Sequence, residues 1–137
     1  MDALGERFIM EQKARYGAPV TEMIEAGRVR DYLLALDKDA CHDRSAPVPP
    51  LFLLTLGRSR RPHLNRLPGG TVNASDEFEF FKDAFVGDEI TIETIVVGVE
   101  KKVSAARDLY LISLEKLYRN KAGEVIARRF NRILRWE

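Results

Sequence analysis

The sequence predicts an α+β fold, with one antiparallel sheet wrapped around a central apolar helix. Two observations carry this expectation. Leu51-Phe52-Leu53-Leu54-Thr55-Leu56 is apolar all round, as suits a helix buried on every side. After residue 70 the chain is a succession of β-branched and aromatic runs broken by tight turns, the pattern of a meander of long strands. No internal repeat, low-complexity tract or Ser/Gly linker interrupts the 137 residues, so residues 1–137 are expected to form a single domain.

The elements follow in order. Residues 1–19 read as an N-terminal arm, irregular or partly helical, ending at Gly17-Ala18-Pro19. Residues 20–25 suit a short edge strand. From Ala26 to Leu36 the spacing predicts a helix: Val29, Leu33 and Leu36 share a stripe, flanked by Tyr32 and Leu34, with Arg28, Arg30 and Asp31 facing out. Residues 37–48 are a polar loop. Pro50 can start the apolar helix, because proline is tolerated where the first N–H groups have no helical partner, and Gly57 can stop it. Residues 58–70 form a basic, turn-rich connection. Strands are expected near 72–81, 88–102, 107–119 and 124–136. Gly87-Asp88 opens the second of these, and Asn120-Lys121-Ala122-Gly123-Glu124 joins the last two, with glycine supplying a positive φ.

Composition excludes several classes of function. A net charge of +1 gives no global field for nucleic acid or an anionic membrane. One cysteine, Cys41, rules out an internal disulfide and cannot alone build a cysteine-based zinc site, so a reducing cytoplasm is the expected compartment. The first residues lack the apolar core of a signal peptide, and no run approaches the roughly 20 apolar residues of a membrane helix. Asp76, Glu77, Glu79 and Asp83 resemble a metal cluster in composition alone, since strand alternation puts Glu77 and Glu79 on the solvent face; no metal and no cofactor is expected. Cys41 beside His42 invites a thiol nucleophile, but no third group orients the pair.

Several segments, in this order, resemble the MaoC-like hydratase/dehydratase family, in its branch typified by the N-terminal domains of type I fatty-acid-synthase-like dehydratases. They are Glu25 to Tyr32, Pro49-Pro50-Leu51-Phe52, Glu77-Phe78-Glu79-Phe80 with Gly87-Asp88, Lys121 to Glu124, and Phe130 to Trp136. The resemblance covers nearly the whole chain. It implies a hot-dog fold, an acyl-CoA or acyl carrier protein thioester as substrate, and (R)-specific hydration of a 2-enoyl thioester or dehydration of a 3-hydroxyacyl thioester. It also implies a homodimer, or a heterodimer with a catalytic MaoC-like subunit. The chain departs from the family's pattern in the loop before the helix. Six residues separate His42 from Pro49 where relatives carry a longer, alanine-rich segment, and Ala40 stands in place of a usual proline.

Catalytic relatives use an Asp and a His five positions later, a spacing met here by Asp37 and His42. Hydration needs a base to activate water and an acid to protonate the α-carbon, and a carboxylate and an imidazole sharing one water can supply both. Counted from Tyr32 without a gap, the dyad positions fall instead on Lys38 and Asp43, which cannot do this chemistry. In that register the chain is a non-catalytic acyl-CoA-binding partner subunit. The resemblance further places the substrate carbonyl at the start of the apolar helix, where the N–H of Leu51 or Phe52 would face the developing oxyanion. Arg58, Arg60 and Arg61, with His63 and Arg66 nearby, are candidates for coenzyme A phosphates, and Phe78 and Phe80 for an acyl tunnel; the alternatives are a solvated basic loop and plain core. A hot-dog thioesterase would need a carboxylate on the central helix, and Leu51 to Leu56 holds none.

Overall fold

The structure, a computed structural model, describes residues 18–57, 70–103 and 105–136. Strand β1 (Val20–Met23) is followed by helix α1 (Ala26–Leu36) and a short 3₁₀ helix (Pro50–Thr55). Then come β2 (Gly70–Phe80), β3 (Glu89–Val103), β4 (Asp108–Arg119) and β5 (Val125–Trp136), within two residues of the expected strands. All five strands form one antiparallel sheet in the order β1-β3-β4-β5-β2. The β4–β5 pair is the hairpin that the Asn120 to Glu124 turn predicts, and β3 pairs with β4 as neighbours in the expected meander. β2 crosses over to the far edge and pairs Phe78 with Arg129 and Phe80 with Ala127.

Alternation along β4 leaves Tyr110, Ile112, Leu114, Lys116 and Tyr118 buried on one face. Against the Tyr118 end of that face pack α1 and the 3₁₀ helix, through Val29, Phe52, Leu53 and Leu56, together with Ile24, Ile90 and Ile92. Tyr32 meets Phe52 edge to face, ring centroids 5.6 Å apart.

Three expectations are corrected. The central element is a 3₁₀ helix of six residues and is not enclosed on every side: Leu51 is 49% exposed, while Phe52 and Leu53 are buried. Three residues per turn put Leu51 and Leu54 on one side and Phe52 and Thr55 on another, so the apolar run cannot bury all its members. Leu36, expected on the inner stripe of α1, is 70% exposed, because the helix ends there and Asp37 is already extended. Arg28, expected to face out, is half-buried and donates to the Thr55 carbonyl at 3.0 Å, tying α1 to the 3₁₀ helix.

The Gly87-Asp88 turn couples the sheet to the segment leading into α1. The Gly87 N–H donates to the Ile24 carbonyl and the Ile24 N–H to the Asp88 carbonyl, both at 2.9 Å. The Asp88 carboxylate accepts the Phe85 N–H at 2.9 Å. Gly87 holds φ +94°, and a Cβ there would meet nothing within 4 Å. Gly87→Ala therefore carries a backbone penalty alone, expected at about 1–2 kcal/mol. Calorimetry should show a fall in Tm of a few degrees with the transition still cooperative.

Candidate functional site

The loop between α1 and the 3₁₀ helix is shaped by two aspartates that accept hydrogen bonds from residues two positions on. The Asp37 carboxylate accepts the Asp39 N–H at 3.0 Å. Asp43 accepts the Ser45 N–H at 2.9 Å and the Ser45 hydroxyl at 2.8 Å. These are Asx turns, which bend short polar segments without a helix or strand. The two Ser45 bonds, backbone first, hold the Asp43 carboxyl below the usual carboxylate range.

His42 lies between these turns, half-buried, with Nε2 3.2 Å from the Pro47 carbonyl. A carbonyl only accepts, so Nε2 carries the proton of this bond and Nδ1 is the basic nitrogen of the neutral ring. Next to Pro47, the buried Val48 donates its N–H to the Ala84 carbonyl at 2.8 Å. The His42 loop is thereby joined to the β2–β3 connection.

Val48 and Ala84 border a cleft of about 330 Å³, open to solvent, whose other walls are Pro50, Leu53 and the segment Phe80 to Asp83. One side is the first turn of the 3₁₀ helix and the other is the end of β2. The Phe52 N–H donates to the Pro49 carbonyl at 2.9 Å, so of the two expected oxyanion donors it is already engaged. The Leu51 N–H takes part in no backbone hydrogen bond among the described residues and remains the open donor of that turn.

The expected site residues are thus distributed in three groups. Phe78 and Phe80 come together, stacked with centroids 5.3 Å apart and planes 5° from parallel, and Phe80 lines the cleft. Asp37 and His42 are each bonded within the loop, and neither side chain bonds the other. Arg58, Arg60, Arg61, His63 and Arg66 lie outside the described residues.

Sequence reasoning missed a polar group on the inner face of the sheet. Arg129, buried, reaches Asp76 through two parallel bonds of 2.6 and 2.7 Å and lies 5.6 Å from the centre of the Phe78 ring. Asn131, also buried, donates to the Asn73 side chain at 2.8 Å and the Ser75 carbonyl at 2.9 Å. Burial works to raise the Asp76 carboxyl, but the bonds from Arg129 and Asn73 and the nearby positive charges outweigh it and hold it low. The available signal was parity: counting by twos from Ala127 places Arg129 and Asn131 inward. Among the described residues no group of three metal-ligating side chains occurs, and no helix is long and apolar enough to cross a membrane.

A family profile described as FAS1-like, dehydratase domain region, matches residues 12–129. No curated protein sequence matches at a significant level. Solved structures share the fold. The chain is similar to one in the ChsH1-ChsH2 complex from Mycobacterium tuberculosis, with TM-score 0.71 and 16% identity, over 94% of this chain and 89% of that one. It is similar to one in the truncated HadBC (3R-hydroxyacyl-ACP dehydratase) complex from the same organism, with TM-score 0.66 and 16% identity, over 85% and 91%. It also resembles the (R)-hydratase of A. caviae involved in PHA biosynthesis, with TM-score 0.55 and 20% identity, over 85% and 91%. At these identities the likeness is one of fold, and the fold is the hot dog.

Proposed function

The chain belongs to the FAS1-like dehydratase region family of MaoC-like hydratases and dehydratases, and from that premise we propose that it is an (R)-specific 2-enoyl-thioester hydratase or 3-hydroxyacyl-thioester dehydratase, or a subunit of one. The observation that carries this reading is the cleft beside the 3₁₀ helix. Its rim joins the His42 loop, through Pro47 and Val48, to the turn bearing the open Leu51 N–H. A thioester carbonyl directed at Leu51 has its α- and β-carbons over the rim. His42, through Nδ1, takes a proton from water as the oxygen bonds the β-carbon; the resulting imidazolium returns that proton to the α-carbon, and a 3-hydroxyacyl thioester results. The carbonyl oxygen gains negative charge on the way, which a backbone N–H stabilises.

His42→Ala and Asp37→Ala are each expected to lower crotonyl-CoA hydration by at least about a hundredfold, the scale of a lost acid–base group, with melting unchanged. Unchanged activity in both variants moves the chemistry elsewhere.

A second reading is favoured by one observation: the Asp37 and His42 side chains bond within their own loop and not to each other. In that reading this chain binds the acyl thioester and a sister subunit supplies the dyad. The purified chain would then bind acyl-CoA but turn over crotonyl-CoA only with the sister chain added.

Either reading calls for a dimer. β2 is an eleven-residue edge strand, paired on one side with β5, and β1 covers β3 only from Glu89 to Ile92. Long open edges in soluble proteins are paired or covered. Sedimentation at micromolar concentration should give twice the 15.6 kDa chain mass, or that of a heterodimer once the sister is present. A persistent monomer that binds no acyl-CoA, alone or with a sister chain, would count against both.

A further inference from the structure

The cleft beside the 3₁₀ helix is shallow. The buried residues that border it, Val48, Leu53 and Ala84, form its floor, and the bond of 2.8 Å from the Val48 N–H to the Ala84 carbonyl closes it there. Toward β2 it ends on Phe80, which is 41% exposed. Its volume of about 330 Å³ is at the lower end of the roughly 300–1,000 Å³ usual for small-molecule sites.

Phe80 is the outer member of a column of flat groups. Its ring stacks on Phe78, centroids 5.3 Å apart and planes 5° from parallel. The Arg129 guanidinium lies 5.6 Å from the centre of the Phe78 ring. Two parallel bonds to Asp76 hold that guanidinium in place. Asp76 also accepts from the Asn73 side chain at 3.0 Å, and Asn73 accepts from Asn131 at 2.8 Å. The column thus runs from the cleft into a polar belt on the inner face of the sheet. The backbone beside it is fixed as well. The Phe81 and Lys82 N–H groups both donate to the Ile126 carbonyl, at 2.8 and 3.2 Å, and Lys82 pairs with Glu124. The end of β2 is thereby pinned to β5, and the Phe80 ring is blocked inward by Phe78.

An aliphatic chain pushed past Phe80 would have to displace Phe78 and then lie against a guanidinium and a carboxylate. Breaking their bonds without replacing them costs more than burying methylenes returns. The two phenylalanines therefore make an end wall, not the sides of a tunnel.

We propose that Phe80 is the specificity-determining residue that ends the acyl site, with Arg129 and Asp76 as positioning residues behind it, so that the preferred ligands are short-chain aliphatic acyl thioesters. This rests on the acyl-thioester reading above.

Isothermal titration of the full chain with coenzyme A, butanoyl-CoA and octanoyl-CoA tests the wall. Octanoyl-CoA carries four more methylenes than butanoyl-CoA, and at about fourfold per buried methylene a tunnel would bind it more than about a hundredfold tighter. Against a wall those methylenes stay in water. Butanoyl-CoA should bind tighter than coenzyme A, and octanoyl-CoA no more than about threefold tighter than butanoyl-CoA. Phe80→Ala, at a partly exposed position, should shift that ratio toward octanoyl-CoA at least about tenfold. Asp76→Ala frees the guanidinium behind Phe78 and should shift it the same way by at least about threefold, a change in selectivity that lost stability alone does not produce.

A stronger preference of the natural chain for octanoyl-CoA overturns the inference and leaves the acyl-thioester reading standing; this comparison needs no variant to fold. A smaller shift in Phe80→Ala overturns the assignment to Phe80, and a smaller shift in Asp76→Ala overturns the role of Arg129 and Asp76 behind it. Butanoyl-CoA bound no tighter than coenzyme A, or binding of none of the three, overturns both the inference and the reading of the cleft beneath it.

Discussion

Phe52→Asp is expected to leave no folded protein. The Phe52 side chain is 1% exposed, lies edge-on to Tyr32, and packs in the cluster that joins α1 to the sheet through Val29, Ile90 and Ile92. Loss of a buried phenylalanine ring alone costs about 3–5 kcal/mol. A carboxylate in its place has no cation within that apolar cluster, and burying it unpaired adds several kcal/mol more. The sum matches or exceeds the roughly 5–15 kcal/mol by which domains are stable. Far-UV circular dichroism and a thermal melt decide it: a soluble Phe52→Asp chain with a cooperative transition would refute the placement of the 3₁₀ helix. Leu54→Asp, one turn edge away, should be milder, because Leu54 is half-buried and its carboxylate can reach water.

The contrast between Phe52 and Leu54 marks where the sequence is legible. The strands were readable because alternation has a period of two, and β4 carries it for twelve residues, from Asp108 to Arg119. The turns were readable because Gly87 and Gly123 hold φ of +94° and +83°, which few other residues tolerate. In Leu51 to Leu56 a single threonine is the one polar residue, too little to mark a period, so neither the 3₁₀ geometry nor the exposed side could be read from it. The site was legible in part. Phe80 beside the start of the helix follows from the order of the elements, and the loop ending at Val48 was visibly polar. How Asp37 and His42 are bonded depends on Asx turns and a proline carbonyl, which single residues do not announce. The Asp76–Arg129 pair spans 53 positions and depends on the register of β2 against β5, where a bulge between Asn73 and Ser75 shifts the pairing. No local pattern encodes a register that is set by a crossover.

That same pair supplies the second large effect. Asp76→Ala should destabilise the protein by about 1–3 kcal/mol, the cost of leaving the buried Arg129 without the partly exposed carboxylate that satisfies it. The cause is what remains: Arg129, 6% exposed and opposite Lys116, would lose both carboxylate bonds, and Asn73 would lose its acceptor. Asp76→Asn should be gentler, since an amide oxygen still accepts one bond from the guanidinium. The natural chain should show the same dependence through pH. Arg129, Asn73 and the charge of Lys116 hold the Asp76 carboxyl below its ordinary value of 3.8 in the folded state. A depressed carboxyl contributes stability that is fully present above the unfolded value and is lost as pH falls through the folded one. Urea melts should therefore weaken from about pH 4 downward in the natural protein, and the part of that slope due to Asp76 should vanish in Asp76→Ala. If Asp76→Ala keeps both the natural stability at pH 7 and the natural acid slope, the polar belt does not hold the inner face together through this pair.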